Sequence, residues 1–217
     1  MPVSAKLLTR MIAFNMQPAC YMHPSWGGTF LSPIVYDRII GNKRARRRVS
    51  KLVLEQLNLT NSGCYDFEKP WRRFALVDSN GLTQMMYLGG LVCLHGGISR
   101  MIGGEALRSL KASIGENYYL FSVRKAPYLV GNLGIWAHPL GDPGSCMQEA
   151  ESCGIDLISS LFSCEPEALT RRVLLKFPAH LSKKFSFSEE SVGKTDLVIL
   201  FRKILCREVD SSWATLF

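Results

Sequence analysis

Residues 82–101 read LTQMMYLGGLVCLHGGISRM. The best apolar window, the ten residues Met85 to Leu94, is broken by Gly89-Gly90, and His95 and Arg100 follow closely. A membrane span needs about 20 mostly apolar residues, so this segment predicts a buried core helix instead. Leu88, Leu91, Val92, His95, Ser99 and Ile102 fall on one stripe at helical spacing. Glycine costs about 1 kcal/mol in an exposed helix interior. Glycines inside an apolar helix therefore point to a neighbouring helix that approaches closely.

Working outward, Gly103-Gly104 makes a break, and a second helix is expected over Glu105–Ile114, with Glu105 favoured in its first turn. Tyr118–Val130 is open to helix or strand; its aromatics favour strand, and Pro127 limits either. Gly131–Ser145 is rich in Gly and Pro and reads as loop. Met147–Ser163 predicts a helix with Ile155, Ile158, Ser159 and Phe162 on one face. Pro166 suits the first turn of the next helix, which Leu169, Val173 and Leu174 continue until it stops near Pro178. Lys183–Glu190 is a polar connection. The last helix spans Val192–Val209, with Leu197, Val198, Phe201, Ile204, Leu205 and Val209 inward and Arg202, Lys203 and Arg207 opposite.

Upstream, Val49, Leu52, Val53, Gln56 and Leu57 repeat at helical spacing, and Asn61-Ser62-Gly63 closes that segment. Residues 64–82 read as loop with a short element. Residues 1–42 read as irregular, punctuated by Pro18, Pro24, Gly27-Gly28 and Pro33, with Phe14, Tyr21, Trp26, Phe30 and Tyr36 as apolar anchors. The expectation is a mainly α fold: a single compact helical domain at 43–217 with about five or six helices. An ordered irregular N-terminal arm at 1–42 packs on it, and Tyr118–Val130 leaves room for a short β element.

The chain has 217 residues and is 47 % apolar, which excludes a largely disordered protein. Its seven cysteines form no CxxC and fit free thiols in a reducing compartment better than a disulfide framework. Cys146 and Cys153 have no histidine at the spacing of a zinc site. Pro18-Ala19-Cys20 looks like a lipoprotein cleavage box, but Gln17 stands where an aliphatic residue is wanted and the preceding apolar run is short.

The net charge is +8. All of that excess lies in residues 1–110, and residues 111–217 are balanced. Much of it is one run: Lys43, Arg44, Arg46, Arg47, Arg48 and Lys51. Its readings are a solvated helix face, or a site for nucleic acid, anionic lipid or an acidic protein. A helix starting near Arg47 sets these cations at its N-terminal end, where the macrodipole disfavours them. That cost suggests a partner. No aromatic residue is interleaved for base stacking, and no helix-turn-helix, finger or RNP pattern accompanies the run.

Catalytic patterns are incomplete. Ser188-x4-Gly193-Lys194-Thr195 resembles a phosphate loop, but serine replaces the first glycine and no buried strand precedes it. It reads better as a helix start capped by Thr195. His95-Gly96-Gly97 echoes the oxyanion loop of some esterases, and a hydrolase built on His95 and Ser99 would follow; no Gly-x-Ser-x-Gly elbow exists to complete it. His95 reads as a satisfied core histidine. The pairs Glu149/Glu151, Glu165/Glu167 and Glu189/Glu190 read as helix-start or solvated charges.

Two stretches are familiar: Phe14-Asn15-Met16-Gln17-Pro18-Ala19-Cys20-Tyr21-Met22-His23-Pro24, and Leu88-Gly89-Gly90-Leu91-Val92-Cys93-Leu94-His95-Gly96. Together they resemble the SctK family of type III secretion, which includes the YscK-like proteins. The later order is similar too: a helix around Ile114–Val130, a Trp136/Pro139 loop, the Cys153–Phe162 helix, the Arg171–Pro178 segment and a basic amphipathic C-terminal helix. The rhizobial nodulation proteins of the NolU type look like the nearest branch.

The resemblance implies a non-enzymatic cytoplasmic protein with no cofactor. It would act at the inner-membrane face, bridging the cytoplasmic domain of a ring protein (SctD) to the pod protein (SctQ), which also carries the stator (SctL). The partner-binding candidates are Lys43, Arg44, Arg46, Arg47, Arg48 and Lys51 on one surface, and Arg202, Lys203 and Arg207 on another. The competing function is nucleic-acid binding through the 43–51 run.

Overall fold

The computed structural model describes residues 5–39, 41–131, 137–187 and 193–217. Trp136, Ser188, Glu189, Glu190 and Val192, named above, lie outside them. In chain order the helices are α1 (Ala5–Met16), α2 (Gly27–Phe30), α3 (Pro33–Ile39), α4 (Lys43–Gln56), α5 (Pro70–Arg73) and α6 (Ser79–Ser99). They continue as α7 (Gly104–Arg124), α8 (Cys146–Leu161), α9 (Glu167–Leu174), α10 (Ala179–Ser182) and α11 (Lys194–Ile204). No strand occurs among the described residues, and the fold is mainly α. The chain divides into two compact units.

The first unit comprises Met1–Thr83, Cys164–Lys184 and Leu216–Phe217. Its N-terminal part is less irregular than the sequence suggested. The proline and glycine stops begin only at Pro18, and before them Met11, Phe14 and Asn15 form the inward face of α1. Asn15 is 1 % exposed. Its Nδ2 donates to the carbonyls of Met11 (2.9 Å) and Cys64 (2.7 Å), and its Oδ1 accepts from the Cys64 amide at 2.7 Å. Phe14 stacks on Tyr21 with centroids 5.7 Å apart and meets Phe67 edge-on at 5.9 Å. Ala19, Met22, Phe30 and Tyr36 are buried in one cluster with Val49, Val53 and Leu175. Gly27 belongs there because a Cβ would meet the Tyr36 ring at 2.5 Å.

Among the described residues of this unit three cations are buried. Arg172 donates to the carbonyls of Leu59 (3.0 Å), Ser62 (2.8 Å) and Ala168 (2.8 Å), and the adjacent Arg171 donates to that of Leu57 at 2.8 Å. Together they pin the chain that leaves α4. Lys176 donates to the carbonyls of Ala75 (2.6 Å) and Val77. Arg72 pairs with Asp66 and, at 2.6 Å, with Glu165, which also accepts from the Trp71 indole at 2.6 Å. The Glu165 side chain is only 3 % exposed. It is thus a buried ion-pair partner and not a solvated charge, because Arg72 and Trp71 supply the donors that burial requires. Glu167 does stay solvated, paired with Arg171 one turn on.

The second unit comprises Gln84–Ser163 and Phe185–Thr215. Here the glycines of α6 are explained by close packing, as their sequence context suggested. A Cβ at Gly90 would strike the carbonyl of Ala150 on α8, and one at Gly154 would strike the carbonyl of Met86 on α6. The two backbones touch where side chains are missing. Gly89 faces Phe201 and Leu157, and Gly97 faces Leu140, whereas Gly96 has open space around it.

α6 ends at Ser99, so the stripe expected to reach Ile102 stops short. Ser99 is exposed, and Ile102 is 92 % exposed in the following extended chain. Tyr118–Arg124 is helical, overturning the preference for strand; a turn at Ala126–Tyr128 follows it. Gly115, at φ 80°, breaks α7 into two helical runs. Phe121 and Ser122 face inward from the second, and Lys111 reaches back over the Tyr119 ring at 4.5 Å. Tertiary packing outweighs the local preference of its aromatics.

Candidate partner-binding surfaces

α4 starts earlier than its apolar spacing indicated, because Asn42 caps it. The Asn42 side chain accepts from the Arg44 amide at 2.9 Å and the Ala45 amide at 3.4 Å. The basic run therefore forms the first turns of the helix. No acidic residue occupies the first turn, so the cations meet the positive end of the macrodipole uncompensated, at about 0.3–1 kcal/mol each. Val49, Ser50, Val53 and Leu54 are the buried face.

The helical period sorts the six candidates into three groups. Lys43, Arg46 and Arg47 line a polar groove of about 270 Å³ with Gln17, Cys20 and Ser50. Arg46 is half-buried, and its Nε is shielded from solvent without a hydrogen-bond partner among the described residues. Arg44 and Arg48, one turn apart, border a second groove of about 430 Å³. Leu31, Ile39, Ala45, Val49 and Leu52 give that groove apolar walls. Lys51 enters neither groove and pairs with Glu55 at 3.6 Å, with side chains 76 % and 52 % exposed. Such a solvated pair contributes little. None of Arg44, Arg46, Arg47 and Arg48 forms an ion pair among the described residues.

Sequence reasoning found these cations and missed the apolar groove. Its signal was present: Ala45, Val49 and Leu52 stand at i, i+4 and i+7 once the helix is extended back to its Asn42 cap.

On the second unit, α11 buries Leu197, Leu200, Phe201 and Ile204, and the wider π turns of Leu205–Val209 prolong it. Arg202 and Arg207 are exposed and Lys203 is half-buried. Val198 and Val209 are half-buried, and Ile199 is 48 % exposed on the same helix.

His95 and Lys194, from the incomplete catalytic patterns, make backbone contacts. His95 is half-buried, with Nδ1 3.0 Å from the carbonyl of Val92, which assigns the ring proton to Nδ1. In the phosphate-loop echo, Gly193 takes the N-cap position with φ 79°, and Thr195 stands inside the first turn instead of capping it. The Lys194 ammonium donates to the carbonyl of Ser163 at 2.7 Å. Among the described residues no group of three or more His, Cys, Asp and Glu stands together as a metal site. None of the seven cysteines is in a disulfide; Cys64, Cys93, Cys146 and Cys153 are buried, and burial pushes their thiols up, Cys93 to about 12. Cys20 and Cys164 are exposed. No helix among the described residues is long and apolar enough to cross a membrane.

No curated protein and no solved structure matches the chain. The model of one family does, over residues 8–217: YOP proteins translocation protein K (YscK). That match takes in α4, α6, α8 and α11 in full and nearly the whole of the chain. Its members are components of a secretion apparatus and not a known enzyme family. The chain belongs to the YscK family and is a type III secretion protein.

Proposed function

We propose that the protein is a cytoplasmic adaptor of the injectisome's sorting platform. It links the cytoplasmic domain of an SctD-like inner-membrane ring protein to an SctQ-like pod protein, and through the pod to an SctL-like stator. The observation that carries this reading is the set of arginines on α4. Arg44, Arg46, Arg47 and Arg48 crowd the N-terminal end of a capped helix without an acid among the described residues to pair with them. A fold retains such a cost most readily when another molecule supplies the carboxylates. Complementary charge of this kind sets partner choice and association rate. Arg202, Lys203 and Arg207 form the second docking surface.

The test is charge reversal in the full chain. Replacing Arg44, Arg46, Arg47 and Arg48 with Glu is expected to abolish co-purification with one of the two partners and to block secretion, with the helical circular-dichroism signal retained. Reversing Arg202, Lys203 and Arg207 is expected to release the other. Unchanged capture of both partners by both variants contradicts the assignment. Steep log-linear loss of binding to bulk DNA or RNA with salt, without loss of protein partners, would favour a nucleic-acid site instead.

A further inference from the structure

We infer that the apolar groove beside α4 is the seat of an acidic amphipathic helix from a partner protein. The inference rests on the adaptor reading above and names what that surface holds. Three observations carry it. First, the groove is about 430 Å³, room for more than one side chain, and its walls are Leu31, Ile39, Ala45, Val49 and Leu52. A surface that merely carried solvated charge would not set this apolar trough beside its arginines. Second, Arg44 and Arg48 border the trough one turn apart and are exposed, without an acid partner among the described residues. Positions i and i+4 on a helix lie roughly 5–6 Å apart between Cβ atoms. Two carboxylates at i and i+4 of an incoming helix match that spacing, and apolar residues on the adjoining stripe of the same helix, themselves three or four positions apart, meet the trough. Third, α3, which contributes Ile39, leaves Ile34 68 % exposed and Val35 44 % exposed. The apolar character thus continues on the element that forms the trough's far wall.

The neighbouring polar groove differs in chemistry. Lys43, Arg46 and Arg47 share it with Gln17, Cys20 and Ser50, and the Ser50 hydroxyl already accepts from the Ala19 amide at 3.2 Å. It offers charge without apolar anchors, so it does not hold the helix. Anchors in a desolvated pocket carry most binding energy, and rim charges tune it. The run that looks like one basic patch in the sequence is therefore two sites, and only the Arg44/Arg48 side reads an amphipathic ligand.

The experiment places a benzophenone amino acid at Leu52, inside the groove, in the full chain expressed in its own secreting cells. A second strain carries it at Lys51, the neighbouring solvated position. The cross-linked partner peptide is sequenced. The expected adduct at Leu52 is a segment with apolar residues at i and i+3 or i+4 and carboxylates one turn apart. Its yield should fall about tenfold or more with Arg44→Glu/Arg48→Glu, the scale of losing two interfacial charge contacts. It should fall several-fold less with Lys43→Glu/Arg47→Glu, whose cations line the polar groove and attract an acidic partner without bordering the trough. A lipid adduct, a partner segment without acids, a yield no higher than at Lys51, or equal loss in both charge variants overturns the inference. Co-purification with the ring and pod proteins is scored in the same strains. If it persists while the cross-link fails, the groove assignment falls and the adaptor reading stands; if it is absent from the start, the adaptor reading itself falls.

Discussion

Lys176 is 2 % exposed and pays for burial with its proton affinity. Its ammonium donates to the carbonyls of Ala75 and Val77 and stands 4.7 Å from the Tyr21 ring and 5.2 Å from that of Phe14. Burial pulls its pKa from the ordinary 10.5 down to about 7, with Asp78 opposing the shift and Arg10 adding to it. The unfolded chain keeps this proton up to about 10.5, and the folded chain releases it near 7. Between those values the unfolded state binds more protons, so this residue makes the fold more stable as pH rises through that window. The urea midpoint of the wild type should rise relative to that of Lys176→Met from pH 7 to pH 10. A constant difference would contradict the burial account. Little of this was legible in the sequence, where Lys176 stands among apolar residues in VLLKFP. Its acceptors lie about 100 residues away, and no local pattern announces them. Glu165 was misread for the same reason, since its partners Arg72 and Trp71 are distant in the chain.

At the scale of elements, the helices whose apolar face is long and regular were readable. α8 matches its expected span to within two residues, and α11 reaches the expected Val209 through its π turns. α6 was also readable, because glycines in an apolar helix have few uses other than close contact. That account makes opposite predictions for two of them. Gly90→Val should cost several kcal/mol (on the order of 3), because the added carbons meet the backbone carbonyl of Ala150, which cannot rotate away. Gly96→Ala, with open space around it, should be neutral or stabilising by up to about 1 kcal/mol. Thermal unfolding of both variants distinguishes close packing from general glycine intolerance. The start of α4 was misplaced because its first turns carry charge in place of apolar residues. The Asn42 side chain sets that start, and Asn42→Ala should lower stability by about 1 kcal/mol in chemical unfolding. α1 was missed because its inward face is short, Met11, Phe14 and Asn15, and one of the three is polar.

At the scale of the whole molecule, function was read from the resemblance of residues 14–24 and 88–96 to the SctK family, with which the charge asymmetry and the lack of a complete catalytic pattern agree, and the YscK family match over residues 8–217 bears out the family. The identity of the basic residues was legible; their division between two grooves was not. That division depends on where the helix starts and on Leu31 and Ile39, which the fold brings to α4 from the preceding segment. The central claim is that the arginines of α4 capture an acidic partner. Its most direct measurement is the association rate of the purified full chain with the ring and pod cytoplasmic domains, taken across a salt series. The account predicts that one of the two rates falls steeply as salt rises, and that reversing Arg44, Arg46, Arg47 and Arg48 to Glu lowers that rate by about tenfold or more at low salt. Rates for both partners that ignore both salt and charge reversal would contradict it.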